Sequence, residues 1–543
     1  MKPTVKLTMA QAVARFLAHQ KTEIDGHTVP LFGGIWAIFG HGNVAGLGEA
    51  LYPHRQALPT YRSHNEQAMA HAAIAYAKAC NRRRMMACTT SIGPGALNMV
   101  TAAGVAHVNR LPVLLLPGDV FANRAPDPVL QQVEDFGDGT VSANDCLRPV
   151  SRYFDRITRP EQAIGALNRA MQVLTDPAAC GPVTLSLCQD VQAEAFDYPE
   201  SLFEERIWVP RRQQPDEREV ALAAELLENA ANPLIIAGGG VHYAEAWPAL
   251  QRFAERHNVP VAMTQAGKSA LPDSHPLCLG AIGVTGTSAA NRMAEDADVI
   301  VAVGTRLQDF TTGSWALFKN LDMRIIGLNV QPFDAGKHDA QPLVCDAGIG
   351  LDKLTVMLGD WTTGDALAKV VSTARAEWSN DADAVTAASN TDLPSELASV
   401  FGTMAHEGYP GHHTYNVLLE DRLVRGKGWQ ELTVYPLYSP QSLLAEGTAN
   451  AGRSVILPDD EYWDLIATEL APAAGLEDRD LDTYRAVLDA LRALRYVRGE
   501  AARMLFDEGV GEDEVVAFLV EYELVTEARA RKTIEFLRAY RSY

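Results

Sequence analysis

Short apolar runs alternate with helical patterns through residues 30–190, and this alternation constrains the fold more than any other feature of the sequence. The strand-like runs are bounded by Gly, Pro or polar residues: PLFGGIWAIF, MMACTT, PVLLLPG and PVTLSL. Between them, EQAMAHAAIAYAKA has the periodicity of a helix. Strands that alternate with helices form a parallel sheet with right-handed crossovers. The pattern predicts an α/β domain with a doubly wound parallel sheet over residues 1–195.

A second α/β unit follows a linker predicted at 196–215, where Pro, Arg and Gln are frequent. It begins with NPLIIAGGG, a buried strand that runs into glycines, and continues with the strand-like runs PVAMTQ, DVIVAVGTR and RIIGLNV. This pattern predicts a Rossmann-like middle domain over 216–361. Its glycines do not form G-x-G-x-x-G, so a tight strand-to-helix turn explains them better than nucleotide binding.

The alternation stops after the second unit. Residues 362–396 are rich in Ala, Thr, Ser and Asp and are predicted to be a connector. Residues 397–543 carry long helical patterns, such as LDTYRAVLDALRALRYVRGEAARMLF, and few strand-like runs. We therefore expect a mostly α-helical C-terminal segment, and the change of pattern indicates a hybrid of two unrelated pieces.

Charge and composition exclude several classes of partner. The formal net charge of −21 argues against nucleic acid and anionic membranes, because phosphate binding requires clustered Lys and Arg. The sequence lacks an apolar run of the roughly 18 or more residues that cross a bilayer. Seven cysteines without C-x-x-C spacing are typical of reduced thiols. We expect a cytoplasmic protein that acts on a small-molecule substrate.

Glu66 is the first candidate for chemistry, at the start of an Ala-rich helix. Taken alone, an acid at that position complements the helix dipole. Five stretches of sequence around and after Glu66 resemble those of a known family: IWAIFGHGNVAGLGEAL, YRSHNEQAMAHAAIAYAKA, MMACTTSIGPGALNMVTAA, HVNRLPVLLLPGDVFANR and QQVEDFGDGTVSANDC. They resemble the pyrimidine-binding domain of thiamine-diphosphate enzymes, and within these the trihydroxycyclohexanedione hydrolases of myo-inositol breakdown. Weaker similarity continues through the middle domain to LPSE at 393–396.

The resemblance implies roles for particular residues. Glu66 would hydrogen-bond the aminopyrimidine ring of thiamine diphosphate and act in its proton relay. The residues that match the family's loop at the cofactor edge are Gly93, Pro94, Gly95 and Asn98. His41 and His64 are candidates for proton transfer at the substrate, and a purely structural role is equally open for each. The implied reaction is hydrolytic ring opening at a C–C bond of a cyclic 1,2-diketone, by a homo-oligomer assembled through the pyrimidine domain.

The diphosphate anchor of that family is not recognised. The anchor is a GDG followed after roughly 25–30 residues by Asn, which together hold Mg²⁺ through oxygen ligands. The sequence contains one GDG, Gly137-Asp138-Gly139, with Asn168 at a plausible spacing. This GDG follows no apolar strand, and Asn168 lies inside a helical pattern. We therefore expect the chain to lack the Mg²⁺-diphosphate clamp and its catalysis to be impaired.

A second motif begins where the third domain of such enzymes would start. The segment ELASVFGTMAHEGYPGHHTYN resembles helical zinc hydrolases with an HE-x-x-PGH motif. The resemblance implies zinc ligands at His406, His412 and Glu446, with His413 as an alternative and Glu407 as the base that activates a zinc-bound water. A zinc-dependent peptidase or esterase is thus an alternative function. A non-catalytic, oligomerising or ligand-binding hybrid is a third.

Overall fold

The structure is a computed structural model. It describes residues 3–126, 128–133, 135–386, 406, 412–419, 421–422, 426–427, 446, 449, 451, 454, 457–473, 480–494, 496–523 and 525–539. The chain divides into two compact units, Met1–Ala382 and Asp383–Tyr543.

The first α/β domain is built on a six-stranded parallel sheet. Its strands, with those of two small flanking sheets, are β1 Thr4–Thr8, β2 Gln20–Ile24, β3 His27–Pro30, β4 Phe32–Ile38, β5 Thr60–Arg62, β6 Met85–Thr90, β7 Val113–Asp119, β8 Tyr153–Ile157, β9 Pro182–Cys188, β10 Ala195–Pro199 and β11 Arg206–Trp208. The order in the main sheet is β5-β4-β6-β7-β9-β8, with parallel pairing throughout. This confirms the predicted parallel sheet.

Helices cover both faces of this sheet. They are α1 Met9–Ala18, α2 Gly40–Asn43, α3 Glu49–Leu51, α4 Glu66–Ala79, α5 Pro94–Leu97, α6 Val100–Asn109 and α7 Gln162–Thr175. One core packs α1 and α7 against the sheet, and a second core packs α4 and α6 against the opposite face. Strands β6, β7 and β9 are buried along their whole length, so apart from Asp119 at the end of β7 they are runs of apolar or small residues without polar alternation.

Part of the predicted linker pairs with the first domain. Strand β10 pairs antiparallel with β1, and β11 pairs parallel with β2. Both strands are short and at most partly apolar, so their pairing with distant N-terminal strands leaves little trace in the local pattern.

The middle domain has a second six-stranded parallel sheet. Its strands are β12 Pro233–Ala237, β13 Val261–Met263, β14 Cys278–Ala281, β15 Val299–Val303, β16 Arg324–Asn329 and β17 Gln341–Val344, in the order β14-β13-β12-β15-β16-β17. Its helices are α8 Glu217–Glu228, α9 Gly239–Tyr243, α10 Trp247–His257, α11 Ser288–Asp296, α12 Asp309–Thr312, α13 Pro332–Ala335, α14 Ala347–Leu358 and α15 Asp365–Thr386. Two cores lie on the two faces of this sheet, as a doubly wound fold requires. The start of the predicted connector, in α15, packs on one of them.

The second unit is helical where the structure describes it, in agreement with the prediction. Its helices include α16 His412–Leu419, α17 Asp459–Leu465, α18 Ala471–Ala473, α19 Leu481–Ala493, α20 Val497–Phe506, α21 Glu512–Tyr522 and α22 Glu527–Ala539. Helices α20 to α22 share a small apolar core. Among the described helices of the whole chain, none has the length and hydropathy that crossing a bilayer requires.

Candidate active site

The candidate residues of the first domain lie at one edge of its sheet. Because all strands of the sheet are parallel, the loops that follow them leave from the same, carboxyl edge, where α/β proteins place their ligands. His41 follows β4, Glu66 follows β5, and the glycine turn begins at Gly93, after β6. The fold thus brings together residues that are separated by whole crossover helices in the sequence.

Glu66 is the first residue of α4 and is half-buried. The side chain of Asn65 caps the helix by accepting a hydrogen bond from the Ala68 amide at 2.8 Å. The carboxylate is held by Asn98, whose Nδ2 donates to Oε2 at 2.9 Å. A Cβ atom added to Gly95 would lie 3.3 Å from Oε1, so the second carboxylate oxygen borders a position without a side chain. Of the four residues predicted for the cofactor loop, Asn98 thus contacts the carboxylate and Gly95 lies beside it.

The turn that presents Asn98 needs glycine for two reasons. Gly93 has φ +67°, a left-handed conformation that glycine adopts at little cost. A Cβ atom there would also lie 1.9 Å from the carbonyl oxygen of Gln131. Pro94 then opens α5 at a position where its fixed φ suits a helix start and its missing N–H is not needed. This geometry holds Asn98, at the end of α5, in reach of the carboxylate.

The two histidine candidates have different environments. His41 lies in α2 directly after β4, and its Nε2 is buried without a hydrogen-bond partner among the described residues. Its carbonyl accepts a hydrogen bond from Nε2 of Gln189 at 3.3 Å. His64, between β5 and α4, is exposed. Of the two, His41 is the one with a buried ring nitrogen that lacks a partner among the described residues at the carboxyl edge of the sheet.

Two further residues at this edge were missed by the sequence reasoning. Ser91 follows β6, is 8% exposed, and has a buried hydroxyl without a partner in the described part of the chain. Its Cβ lies 3.5 Å from the Cβ position of Gly95, and thus beside Glu66. Gln189 follows β9, and its Oε1 is likewise buried and unpartnered there. Buried polar atoms usually find partners, so these two groups and His41 merit a functional explanation. Neither residue belongs to a spacing motif that would have revealed it.

A buried ion pair supports the same edge. Asp119 ends β7 and is 1% exposed, and it receives a hydrogen bond from Nε of Arg156 on β8 at 2.8 Å. The hydroxyl of Ser186, on β9, donates to the same carboxylate at 2.5 Å. Burial lowers the pKa of Arg156, but the carboxylates of Asp119 and Asp145 outweigh this effect, so its pKa is raised overall. This network joins three strands, and the sequence reasoning did not identify it.

The GDG segment forms a local turn. Asp138 lies in an exposed loop, where its Oδ1 accepts hydrogen bonds from the amide and the hydroxyl of Thr140 at 2.8 and 2.6 Å. These bonds lower the pKa of the Asp138 carboxyl. Asn168 lies in α7, where its Nδ2 donates to the carbonyl of Ile164 at 2.8 Å. Both side chains are engaged locally, which favours the interpretation that this pair is not a diphosphate anchor.

The predicted zinc site is only partly within the described residues. Nε2 of His406 lies 3.4 Å from Oε2 of Glu446, so the structure brings these two predicted ligands together. His412 and His413 begin α16, but their side chains and all of Glu407 lie outside the described residues. Within the part of the chain that the structure describes, no group of three or more His, Cys, Asp or Glu side chains is arranged to hold a metal ion.

Comparison with protein families matches both α/β domains. Residues 36–137 match the N-terminal TPP binding domain of thiamine pyrophosphate enzymes, and residues 220–354 match the central domain of these enzymes. The two α/β domains thus match two successive domains of thiamine pyrophosphate enzymes, in the same order along the chain.

Among curated proteins, the similarity is to enzymes named 3D-(3,5/4)-trihydroxycyclohexane-1,2-dione hydrolase. The chain is 50% identical over 378 residues to the one from Geobacillus thermodenitrificans, a match that covers 70% of this chain and 58% of that protein. It is 49% identical over 378 residues to the one from Clostridium tetani, covering 70% of this chain and 59% of the relative. The chain thus spans less than two thirds of the length of the curated relatives it matches.

Proposed function

We propose that this chain is a thiamine-diphosphate-dependent hydrolase that opens a cyclic 1,2-diketone by cleaving a C–C bond. The observation that carries the proposal is the half-buried carboxylate of Glu66, held by Asn98 and bordered by Gly95 at the carboxyl edge. The 50% identity with enzymes named trihydroxycyclohexanedione hydrolases supports the choice of substrate class.

The pyrimidine half of the cofactor fits the residues of this edge. The hydrogen bond from Asn98 to Oε2 orients the Glu66 carboxylate and leaves Oε1 on the side of Gly95. With no Cβ at Gly95, a flat heteroaromatic ring has room to approach that oxygen. Glu66 would exchange a proton with a nitrogen of the ring, while His41 would hold a proton at a substrate oxygen. When bound, the cofactor would supply the carbanion chemistry.

The diphosphate half does not fit the described residues equally well. The single GDG of the sequence lies in an exposed turn whose carboxylate is engaged by Thr140. This turn therefore does not provide a Mg²⁺-diphosphate clamp. We propose that the cofactor binds weakly here and that activity is impaired. We also propose that the chain forms a homo-oligomer through its first domain.

A titration of the full chain with thiamine diphosphate and Mg²⁺ tests the cofactor assignment. Isothermal titration calorimetry should show weak binding that is lost in Glu66→Gln, because the amide is a far weaker base toward the ring nitrogen. Glu49→Gln is the matched control, since Glu49 is an exposed acid at a helix start of the same domain. Equal binding by the wild type and Glu66→Gln would contradict the assignment, and so would the absence of binding at millimolar cofactor.

A second candidate function is zinc-dependent hydrolysis by the C-terminal unit. The approach of His406 to Glu446 supports it, since His and carboxylate ligands from separate segments are the donor set of catalytic zinc. We propose His412 as the third ligand and Glu407 as the general base, acting on a peptide or ester bond.

Metal analysis of the purified chain separates the candidates. Mass spectrometry should find zinc in the wild type and in His27→Ala, whose side chain is exposed in the first domain, and not in His406→Ala. Zinc content independent of His406 would refute the site. Binding of neither zinc nor thiamine diphosphate would favour the third possibility, a non-catalytic hybrid.

A further inference from the structure

A cavity of about 360 Å³ lies between the two α/β domains of the first unit. On the side of the first domain it is lined by the segments that precede β6, β7 and β9, including Arg82 and Arg110. These segments lie at the amino edge of the first sheet, opposite the edge that carries Glu66. The cavity is therefore separate from the candidate active site.

On the other side, the cavity is lined by the carboxyl edge of the middle sheet. Gly239 and Gly240 follow β12, and Gly304 and Arg306 follow β15. Strands β12 and β15 are neighbours, and from them the sheet is extended in opposite directions. This is the switch point of a doubly wound sheet, where the diverging loops leave a crevice for a ligand.

Positive charge dominates the lining. The cations are Lys78, Arg82, Arg110, Arg212 and Arg306, and the carboxylates are Asp176 and Asp346. Both carboxylates are already engaged: Asp346 accepts from Arg212 at 3.0 Å, and Asp176 accepts from two amides of its own turn at 2.7 and 2.8 Å. The excess is local, since the whole chain carries a formal charge of −21.

Two of these arginines lack a carboxylate among the described residues. Arg82 stacks 3.6 Å above the ring of Tyr243, and Arg306 donates to the carbonyl of Val108 at 2.5 Å. Neither forms a salt bridge in the part of the chain that the structure describes. The Nε atoms of Arg82 and Arg110 are moreover buried and unpartnered there. Arg82 and Arg306 each use one donor on a backbone carbonyl and none on a described carboxylate, so part of each guanidinium's donor set is left for a ligand.

The arginines repel one another. Burial, and then the neighbouring guanidinium of Arg110, lowers the pKa of Arg306 from its ordinary value. Burial and Arg110 lower the pKa of Arg152, which lies behind the lining, in the same way. Asp334, a buried carboxylate that forms ion pairs with Arg110 and Lys337, offsets this repulsion in part. A bound anion would relieve this repulsion.

We infer that the cavity binds a small oxyanion with two or more negative charges, a phosphate or a dicarboxylate, between Arg82, Arg110 and Arg306. Planar guanidinium groups match such oxygens with paired hydrogen bonds, and arginines from both domains would contact the same ligand. The site is unrelated to the proposed cofactor chemistry and does not depend on it.

Calorimetric titration of the full chain with inorganic pyrophosphate, inorganic phosphate and malonate tests the inference. Pyrophosphate or malonate should bind and raise the melting temperature, and the stronger of the two identifies the anion type. Arg306→Gln and Arg82→Gln should each weaken binding roughly ten- to hundredfold, the effect of losing charge-assisted hydrogen bonds. Arg252→Gln should change nothing, because Arg252 is an exposed arginine of the same domain that pairs with Asp352.

Three further measurements keep the result unambiguous. Melting curves without ligand verify that each variant is folded, and Arg82→Lys, which keeps the charge and loses the fork, should bind with intermediate affinity. Glu66→Gln should leave pyrophosphate binding unchanged, which distinguishes this cavity from the candidate active site. The inference would be overturned if the wild type bound no anion. It would also be overturned if folded Arg306→Gln and Arg82→Gln bound the anion as tightly as the wild type does.

Discussion

Replacing Gly93 by alanine should destabilise the fold, whereas replacing Gly95 by alanine should block cofactor binding, although the two glycines lie in one turn. Gly93 has φ +67°, and an added Cβ would lie 1.9 Å from the Gln131 carbonyl oxygen. At φ +67° and ψ −119°, a sparsely populated backbone region, alanine costs roughly 1–3 kcal/mol, and the backbone shift that relieves the overlap adds roughly 1–3 kcal/mol. We therefore expect Gly93→Ala to lower the free energy of unfolding by about 2–6 kcal/mol.

Gly95→Ala should leave the fold intact and damage the site. Its Cβ would contact Oε1 of Glu66 at 3.3 Å and Cβ of Ser91 at 3.5 Å, so its neighbours must move by only a few tenths of an ångström. Gly95 lies in the first turn of α5 and does not have a positive φ, so its backbone conformation is open to alanine. The new methyl group, however, occupies the space in front of the carboxylate, so thiamine diphosphate binding should be lost.

Urea denaturation and calorimetric titration of both variants check these expectations. The change in free energy of unfolding is measured by circular dichroism, and cofactor affinity is measured on the folded protein. A Gly93→Ala variant as stable as the wild type would refute the close approach of Gln131 to the turn. A stable Gly95→Ala variant with unchanged cofactor affinity would refute the role given to the space beside Glu66.

Three other measurements follow from the described contacts. Ser91→Ala should not lower the melting temperature, because the Ser91 hydroxyl has no partner among the described residues. Ser186→Ala loses a hydrogen bond to a buried carboxylate and should lower the free energy of unfolding by about 1–3 kcal/mol. Equal destabilisation by the two substitutions would contradict this difference. Burial lowers the pKa of His257 in the folded protein, so the unfolded chain takes up the proton first as the pH falls, and stability should decrease below about pH 6.5. That decrease should be smaller in His257→Phe, and an identical pH profile would count against it. Cys146 is exposed and should react rapidly with a thiol reagent at pH 8, while Cys88, whose pKa is raised by burial, should react only on unfolding; rapid modification of Cys88 in the native protein would contradict its burial.

The regular elements could be predicted because their signals are local. Each central strand is a short apolar run, and α4 follows an asparagine that caps it, so periodicity and capping identify these elements without knowledge of their neighbours. The same locality explains what was missed. Strands β10 and β11 are stabilised by partners near the N-terminus, and nothing in their own residues distinguishes them from a linker.

The family resemblance identifies Glu66 and Asn98 as candidates, but the sequence alone does not predict that they contact each other. The hydrogen bond between them exists because the crossover from β5 through α4 to β6 returns the chain to the same edge of the sheet. Ser91 and Gln189 could not be recognised at all, since a serine or a glutamine becomes a candidate only when burial removes its water and leaves it without a partner.

Periodicity, turn residues and composition alone determined that the chain contains two parallel α/β domains and a helical end, because those properties depend on residues close together in the sequence. Only the tertiary structure decided which polar groups meet. The order of the strands places the carboxylate of Glu66 at one edge of the first sheet, and the packing of two domains gathers arginines into a cavity at the other. Charge and hydrogen bonding act over a few ångströms, and such distances between remote residues are set by folding.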